Sequence, residues 1–305
     1  MYNSATALLK GIKTNFIGLM KNEPEPMWKD SINEVTSDSD KETYFLPLTL
    51  PGIKEWIDNI TFGEMTDDSL EVRNKDWDSG VVVDRNTLSD SKKTLGGQLE
   101  LWIKGLTSHY KGFPDDLIQL LLEANGNAFD ATAFFATSRP NLDTGSNTIN
   151  NLYTGTATSA TSYTLAQLTA DFAGAKTTLL GFKDKNNTPF NKGAKLELWV
   201  PAHFHDIANQ LLSARAEMVY NGSAQISNIY AGAAEVKINY NQAATDGDLY
   251  LVNKAATYKP FIIQNREGVK WNYKDDSEFK GLKYWFTFRM GYALFNPMSI
   301  VKINN

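Results

Sequence analysis

The chain has 305 residues, a formal net charge of -5, 42% hydrophobic and 21% charged residues, and no cysteine. This is the composition of a folded protein with enough chain for one large domain or two modest ones. It excludes disulfides, thiolate chemistry and zinc–thiolate sites, and its acidic balance argues against a nucleic-acid grip by bulk electrostatics.

No apolar run reaches membrane-spanning length, and the N-terminus lacks the basic-then-apolar form of a signal peptide. A soluble, intracellularly made protein is expected. Residues 1–22 read as an amphipathic helical arm, with Leu8, Leu9, Ile12, Phe16, Leu19 and Met20 near helical spacing and Lys10 and Lys13 between them. Asn22-Glu23-Pro24-Glu25-Pro26 ends the helix and forces an extended path. The pattern is compatible with packing on its own domain and with reaching over a neighbouring subunit. Thr43–Leu50 and Ile53–Phe62 read as extended segments about a Pro51-Gly52 turn, and Leu70 and Val72 alternate with Glu71 and Arg73 as in a half-exposed strand. Asn74–Gly80 is polar around Trp77, and Val81-Val82-Val83 follows. The stretch Glu55–Val82 has too little apolar surface for a core of its own. A long two-stranded flap is therefore expected, lying on its own domain or on another copy, because isolated hairpins are marginal in water.

Ser89–Asn125 reads as one long helix or two helices end to end. Asp90 is a candidate N-cap, and Leu95, Leu99, Trp102, Ile103, Leu106 and Tyr110 form an apolar stripe. Lys111-Gly112-Phe113-Pro114 interrupts it. Pro114 suits a first helical position and Asp115 and Asp116 suit a helix start, with Leu117, Ile118, Leu120, Leu121 and Leu122 as the apolar face and Asn125-Gly126 as the stop. Asn127–Phe135 comes next, and Asn141–Ser162, rich in Gly, Ser, Thr and Asn, reads as loop. Thr164–Phe182 reads as a helix facing inward through Leu165, Leu168, Phe172, Leu179 and Leu180, and Asn186–Gly193 as a turn. Lys195–Val200 reads as a strand with Leu196, Leu198 and Val200 on one side, and Pro201 opens a helix with Phe204, Ile207, Ala208, Leu211 and Leu212 inward. Short strands broken by Gly and Asn fill Met218–Ile263, and Leu282–Phe295 and Met298–Ile303 are strand-like. There are no internal repeats, and the order of elements is that of an α+β chain.

Sites for chemistry are sparse. His203 and His205 form a His-x-His at a helix start, but residues i and i+2 on a helix point apart and a metal site needs three or four convergent ligands. Asp115-Asp116 and Asp275-Asp276 suit capping or solvation better than acid/base work. Gly96-Gly97 lacks phosphate-binding chemistry around it, and no Gly-x-Ser-x-Gly elbow occurs. Trp56, Trp77, Trp102, Trp199, Trp271 and Trp285 are spread through the chain and suit core or interface anchors. No metal or cofactor is expected. The shape, an unsupported flap and an arm, favours assembly over catalysis, and a Trp-rich ligand-binding module or enzyme is the alternative.

Four segments, in order, resemble the major head subunit of phage Mu and its prophage relatives, a Hong Kong 97-type capsid protein family. They are Leu50-Pro51-Gly52-Ile53-Lys54-Glu55-Trp56; Asn74-Lys75 with Trp77, Asp78, Val81, Val83, Arg85, Leu88 and Asp90; Phe134-Phe135 with Pro140, where Arg139 stands in place of the family's usual His; and Lys259-Pro260-Phe261-Ile262 followed by Arg289, Gly291 and Tyr292. The resemblance implies a Hong Kong 97-type α+β fold. Its parts would be an N-terminal arm (1–40), a peripheral domain (41–54, 83–139 with a long spine helix, and 263–305), an extended β-hairpin loop (55–82) and an axial domain (140–262). It implies a non-enzymatic major capsid protein of a tailed phage or prophage, forming hexamers and pentamers of an icosahedral head around double-stranded DNA. The protein would be assembled in the host bacterial cytoplasm and located in the virion. The implied partners are other copies of the chain, a separate scaffolding protein or protease, a portal, a decoration protein, and packaged DNA bound without sequence specificity. The intersubunit residues expected on this basis are Trp56, Arg73, Lys75, Trp77 and Arg85, with Trp77 as the aromatic anchor. Leu8, Phe16, Trp56, Phe62 and Trp77 are expected to be buried largely between subunits.

Overall fold

The computed structural model describes residues 2–49, 55, 66–84, 92–139, 149–184, 187–213, 228–276 and 281–305, without the side chains of 2–9, 48–49, 66–68, 92–100 and 275–276. In chain order these form α1 (Tyr2–Met20), β1 (Ile32–Thr36), β2 (Lys41–Thr49), β3 (Thr66–Arg73), β4 (Lys75–Asp84), α2 (Lys92–Ala124) and β5 (Leu152–Thr154). Then come α3 (Leu165–Gly181), β6 (Leu196–Pro201), α4 (His205–Leu212), β7 (Glu235–Asn239), β8 (Leu249–Asn253), β9 (Phe261–Asp276), β10 (Gly281–Leu294) and β11 (Ile300–Asn304). The strands make a four-stranded sheet, β1-β9-β10-β4, a five-stranded sheet, β5-β11-β8-β6-β7, and the antiparallel pair β2-β3.

The five-stranded sheet is covered on both faces, so its central strands are apolar throughout. Every residue of β6 and of β8 is buried. Leu198, Val200, Leu249, Leu251, Val301 and Ile303 face α3 and α4 through Leu168, Phe172, Leu179, Ala208 and Leu211. Period-2 alternation turns Trp199, Tyr250, Val252 and Ile300 to the other side, where α2 supplies Leu117, Ile118 and Leu122. α3 starts where a reciprocal capping box satisfies its first amides, the Thr164 hydroxyl accepting from the Gln167 N–H and the Gln167 side chain accepting from the Thr164 N–H.

In the four-stranded sheet, β9 and β10 form a long antiparallel ribbon and β4 lines its β10 edge. One face of the ribbon is aromatic. α1 lies on it through Ile12 and Phe16, and α2 through Ile103, against Leu282 and Tyr284. The arm thus packs on its own chain: Phe16 is 4% exposed, edge-on to Trp271 at 5.3 Å and to Tyr110 at 5.7 Å. The expectation that Phe16 waits for a neighbouring subunit is overturned by this packing.

Several other expectations are corrected. α2 is a single helix that runs through Pro114, so Asp115 and Asp116 lie mid-helix. Proline in a helix interior costs about 3 kcal/mol. Here the neighbouring Phe113 packs edge-on against Trp77 at 4.8 Å and Phe288 at 5.5 Å, and tertiary contacts outweigh the local break. Asp115 accepts hydrogen bonds from the N–H groups of Met27 (2.9 Å) and Trp28 (3.3 Å), and burial pushes its carboxyl above the usual carboxylate range. Leu120 and Leu180, placed on inward faces, are exposed. The Gly/Ser/Thr/Asn-rich stretch contains β5, paired with β11. The final strand β11 leaves the ribbon and enters the five-stranded sheet between β5 and β8. β3 and β4 do not pair with each other as a flap. β3 pairs with β2, and β4 pairs with β10 in a different sheet.

Trp28, overlooked in the sequence, is fully buried and stacks on Trp199 with ring centroids 4.9 Å apart and an 11° tilt. Phe261, the first residue of β9, lies against both rings at 6.3 and 6.0 Å. Trp28 therefore joins the N-terminal segment, the ribbon and the five-stranded sheet. Replacing it with alanine should cost about 3–5 kcal/mol, the range for deleting a large buried aromatic. Urea denaturation of the full chain checks this, and a loss below about 1 kcal/mol would show that the site collapses without Trp28.

Candidate functional site

At the corner between β3 and β4, chain from two different sheets meets. Asn74 alone separates the two strands. It is buried, its N–H donates to the Asp40 carbonyl (2.9 Å), and its Nδ2 donates to Ser37 Oγ (3.0 Å) and the Ser39 carbonyl (2.8 Å). Glu42 closes the facing turn: Oε1 accepts from the N–H groups of Asp38 and Ser39 and from Ser37 Oγ, each at 3.1 Å. The Asp38 N–H and its companions hold this carboxyl below the usual range. Gly291 of β10 passes against the corner. A Cβ there would lie 2.8 Å from the Arg73 carbonyl oxygen and 3.2 Å from Val72 Cγ1, so any side chain would lift the β2–β3 hairpin off β10. Tyr44 adds a hydroxyl that donates to Gln264 Oε1 of β9 at 2.7 Å.

Alternating charges cross the outer surface of this corner. Arg73 Nε lies 3.4 Å from Asp40, Arg289 Nη2 lies 3.2 Å from Asp40, and Arg289 Nε lies 2.7 Å from Asp76. Exposed pairs of this kind contribute between zero and about 1 kcal/mol each and are screened by salt. Their effect is on register more than on stability.

The five residues expected at subunit contacts divide as follows. Trp56 and Arg85 lie outside the described residues. Lys75 sits over the Tyr292 ring at 4.5 Å and donates to its hydroxyl at 3.0 Å. Trp77 donates from Nε1 to the Met290 carbonyl at 3.1 Å and presents its half-buried ring to Phe113 and Tyr292. Both are engaged inside their own chain. Arg73 keeps a 76% exposed side chain. The large apolar side chain on the outer face of the hairpin is Phe45, 60% exposed, while Tyr44 and Leu46 on either side turn inward. Three successive apolar residues in a two-residue period force one outward, and that signal was legible in the sequence.

The remaining candidates are structural. His203 Nε2 faces the Ala160 carbonyl at 3.2 Å and His205 Nε2 faces Asn209 Nδ2 at 2.8 Å, so the two rings serve different partners. No three His, Cys, Asp or Glu side chains converge among the described residues. Arg139, at the position where the resembling family carries His, is a buried strut. Its Nη1 donates to both carboxylate oxygens of Asp130 (2.8 and 2.7 Å), and its Nη2 donates to the carbonyls of Ala133 (3.0 Å) and Phe134. No helix among the described residues is long and apolar enough to cross a membrane.

Comparison with known proteins decides what this architecture belongs to. The family model of the Mu-like prophage major head subunit gpT matches residues 5–170, more than half of the chain. The chain belongs to that family. The head subunit is similar in structure to the procapsid protein of bacteriophage JBD30, at a TM-score of 0.54 and 16% identity over 98% of this chain and 75% of that one. It is also similar to the capsid protein of cyanophage P-SCSP1u, at 0.56 and 10% identity over 92% and 88%. The capsid of a native GTA particle gives 0.55 and 9% identity over 91% and 89%. A search of curated proteins returned no match. The head subunit thus has the mixed α+β fold of phage capsid proteins, consistent with the Hong Kong 97 type, and it is a phage major capsid protein located in the virion.

In this head subunit the matched region runs from α1 through the β3–β4 corner and α2 into α3. Changing Asn74 to alanine removes its two side-chain hydrogen bonds, to Ser37 Oγ and the Ser39 carbonyl, from a buried corner, each worth about 0.5–1.5 kcal/mol net. Limited proteolysis should then cut the β2–β3 hairpin at least about tenfold faster, which equals about 1.4 kcal/mol of local opening. The thermal transition of the five-stranded sheet should move little. Unchanged cleavage would mean that the corner is held by Gly291 and Tyr44 without Asn74.

Proposed function

We propose that this head subunit associates with further copies into hexamers and pentamers that close an icosahedral shell around double-stranded DNA. The observation that carries the reading is the family match across the arm, the corner and the long helix. The shell would be assembled in the host bacterial cytoplasm with a separate scaffolding protein or protease and a portal, and a decoration protein would bind outside. We read residues 1–40 as the arm, 55–82 as the extended loop, 140–262 as the axial part and the rest as the peripheral part. The protein acts without catalysis in this reading. Five of the described tryptophans have aromatic packing partners: Trp28 and Trp199 each other, Trp77 with Phe113, and Trp102 with Trp271. The net charge of -5 suits a wall that lets packaged DNA slide, with weak, non-specific and salt-sensitive contact.

Among the expected intersubunit residues that the structure describes, Arg73 keeps a 76% exposed side chain. Polar groups of this kind set register and an exposed aromatic supplies more of the energy, which points to Phe45, four residues along the same hairpin from the Lys41–Arg73 pair. Electron microscopy of the purified full chain, alone and with its scaffolding partner, should show capsomers or closed shells. A monomer that stays monodisperse at high concentration under both conditions would overturn the reading.

A further inference from the structure

α2 ends on an asparagine–glycine pair. Asn125 adopts a φ of 42°, the left-handed conformation in which glycine and asparagine close helices. Its N–H donates to the Leu121 carbonyl at 3.1 Å. Its side chain crosses to the main chain of Phe135: Oδ1 accepts from the Phe135 N–H at 2.8 Å, and Nδ2 donates to the Phe135 carbonyl at 3.2 Å. A short side chain that offers an acceptor and a donor at once must be an amide, which explains asparagine here in place of glycine or aspartate.

This contact is the neck of the loop 126–134. Inside it the Phe134 N–H donates to the Gly126 carbonyl at 2.9 Å, Asn127 and Ala133 form a β-bridge, and the Ala128 N–H donates to the Thr132 carbonyl at 2.8 Å. The neck delivers Phe134 and Phe135 to the core, where they meet Phe261 at 6.3 Å and Tyr250 at 5.7 Å.

The fold makes no such demand for Gly126. Its φ is not positive, it is exposed, and a Cβ added there would have no atom within 4 Å. What glycine changes at this position is chemistry. With no side chain on residue 126, its backbone nitrogen can approach Asn125 Cγ closely. We propose that Asn125–Gly126 is a modification site, a self-deamidating pair that the closed loop holds unreactive and that reacts when the loop opens. In the step, the Gly126 nitrogen forms a bond to Asn125 Cγ and gives up its proton. The Cγ–Nδ2 bond breaks, and Nδ2 leaves as ammonia with that proton. Water then opens the succinimide ring to aspartate or to isoaspartate, whose main chain is one methylene longer.

The gate is the pair of hydrogen bonds to Phe135. Turning Cγ onto the Gly126 nitrogen pulls both ends of the amide off the neck, so reaction proceeds from the open fraction alone. The product cannot restore the neck. Aspartate sets an acceptor where Nδ2 stood, facing the Phe135 carbonyl, and isoaspartate lengthens the chain at the closure point. Conversions therefore accumulate as a record of loop opening, and each leaves its loop looser.

The test follows amide-to-acid conversion in the full chain by peptide mass spectrometry during warm, mildly alkaline incubation. Asn221–Gly222 is the other asparagine–glycine pair of the chain and is the reference in unfolding urea, where Asn125 should convert at a comparable rate. In native buffer Asn125 should convert at least about tenfold more slowly than in urea, with the rate rising in urea below the global transition. Gly126→Ala should melt as the wild type does and slow the conversion of Asn125 in urea at least about tenfold. Asn125→Asp should speed hydrogen exchange of the amides of 126–135 at least about tenfold and leave β6 and β8 as protected as in the wild type. Equal rates for Asn125 in native buffer and in urea would show that the fold does not gate the site. An Asn125 that stays intact in urea while Asn221 converts would show that the pair is unreactive, and loop exchange unchanged by Asn125→Asp would show that the product restores the neck. Each of these results would overturn the proposal.

Discussion

The β9–β10 ribbon cannot stand alone, and most of the architecture answers that constraint. An isolated two-stranded antiparallel ribbon is marginal in water. This one turns Trp271, Tyr284, Phe286 and Phe288 to one face, and each such ring removes roughly 150–250 Å² from water only if something covers it. α1 supplies Phe16, 5.3 Å from Trp271, and α2 supplies Tyr110 and Phe113, 5.0 and 5.5 Å from Phe288. β4 completes the sheet along the β10 edge with Trp77, Val81 and Val83 on the covered side. The helical course of α2 through Pro114 follows from the same demand, since a break there would uncover Phe288.

Rigidity passes from the ribbon to the rest of the molecule through a small number of buried contacts. β9 begins at Phe261 against the Trp28–Trp199 stack, so the ribbon and the five-stranded sheet share one core. Asp115 of α2 fixes the backbone that delivers Trp28. The buried Arg139–Asp130 pair and the fully buried Glu197, 3.2 Å from Lys254, follow the rule that interior charges are paired. Such pairs add specificity more than net stability, because desolvation offsets most of the attraction. The side chains left open on the surface include Phe45 and Arg73 on the hairpin and Ile17 and Leu101 on the helices.

Elements with strong local signals were legible in the sequence. The apolar stripe from Trp102 to Leu122 specified α2, the Thr164–Gln167 box specified the start of α3, and the alternation of Leu196, Leu198 and Val200 specified β6. Pairing partners were not legible, because a two-residue period says which face a strand buries and nothing about the strand beside it. β3 and β4 are adjacent in sequence yet belong to different sheets, and the turn between them is held by hydrogen bonds of Asn74 and the close approach of Gly291. β5 was hidden in a loop-like composition because it is three residues long and gains its order from β11. Of the candidate contact residues, Lys75 and Trp77 also contact Tyr292 and Phe113 of their own chain, more than 30 residues away in sequence. Distance along the chain is what hid those partners.

The central claim, that the arm covers the ribbon of its own chain, is tested most directly by hydrogen exchange on dispersed, unassembled subunits carrying Phe16→Ala. Losing this ring uncovers Trp271, Tyr110 and Phe286. The account predicts faster exchange confined to the ribbon amides around 267–274 and 282–288, with β6 and β8 as protected as in the wild type. Ribbon protection in the free subunit that is unchanged by the substitution would contradict it, since the arm would then find its place only on another copy.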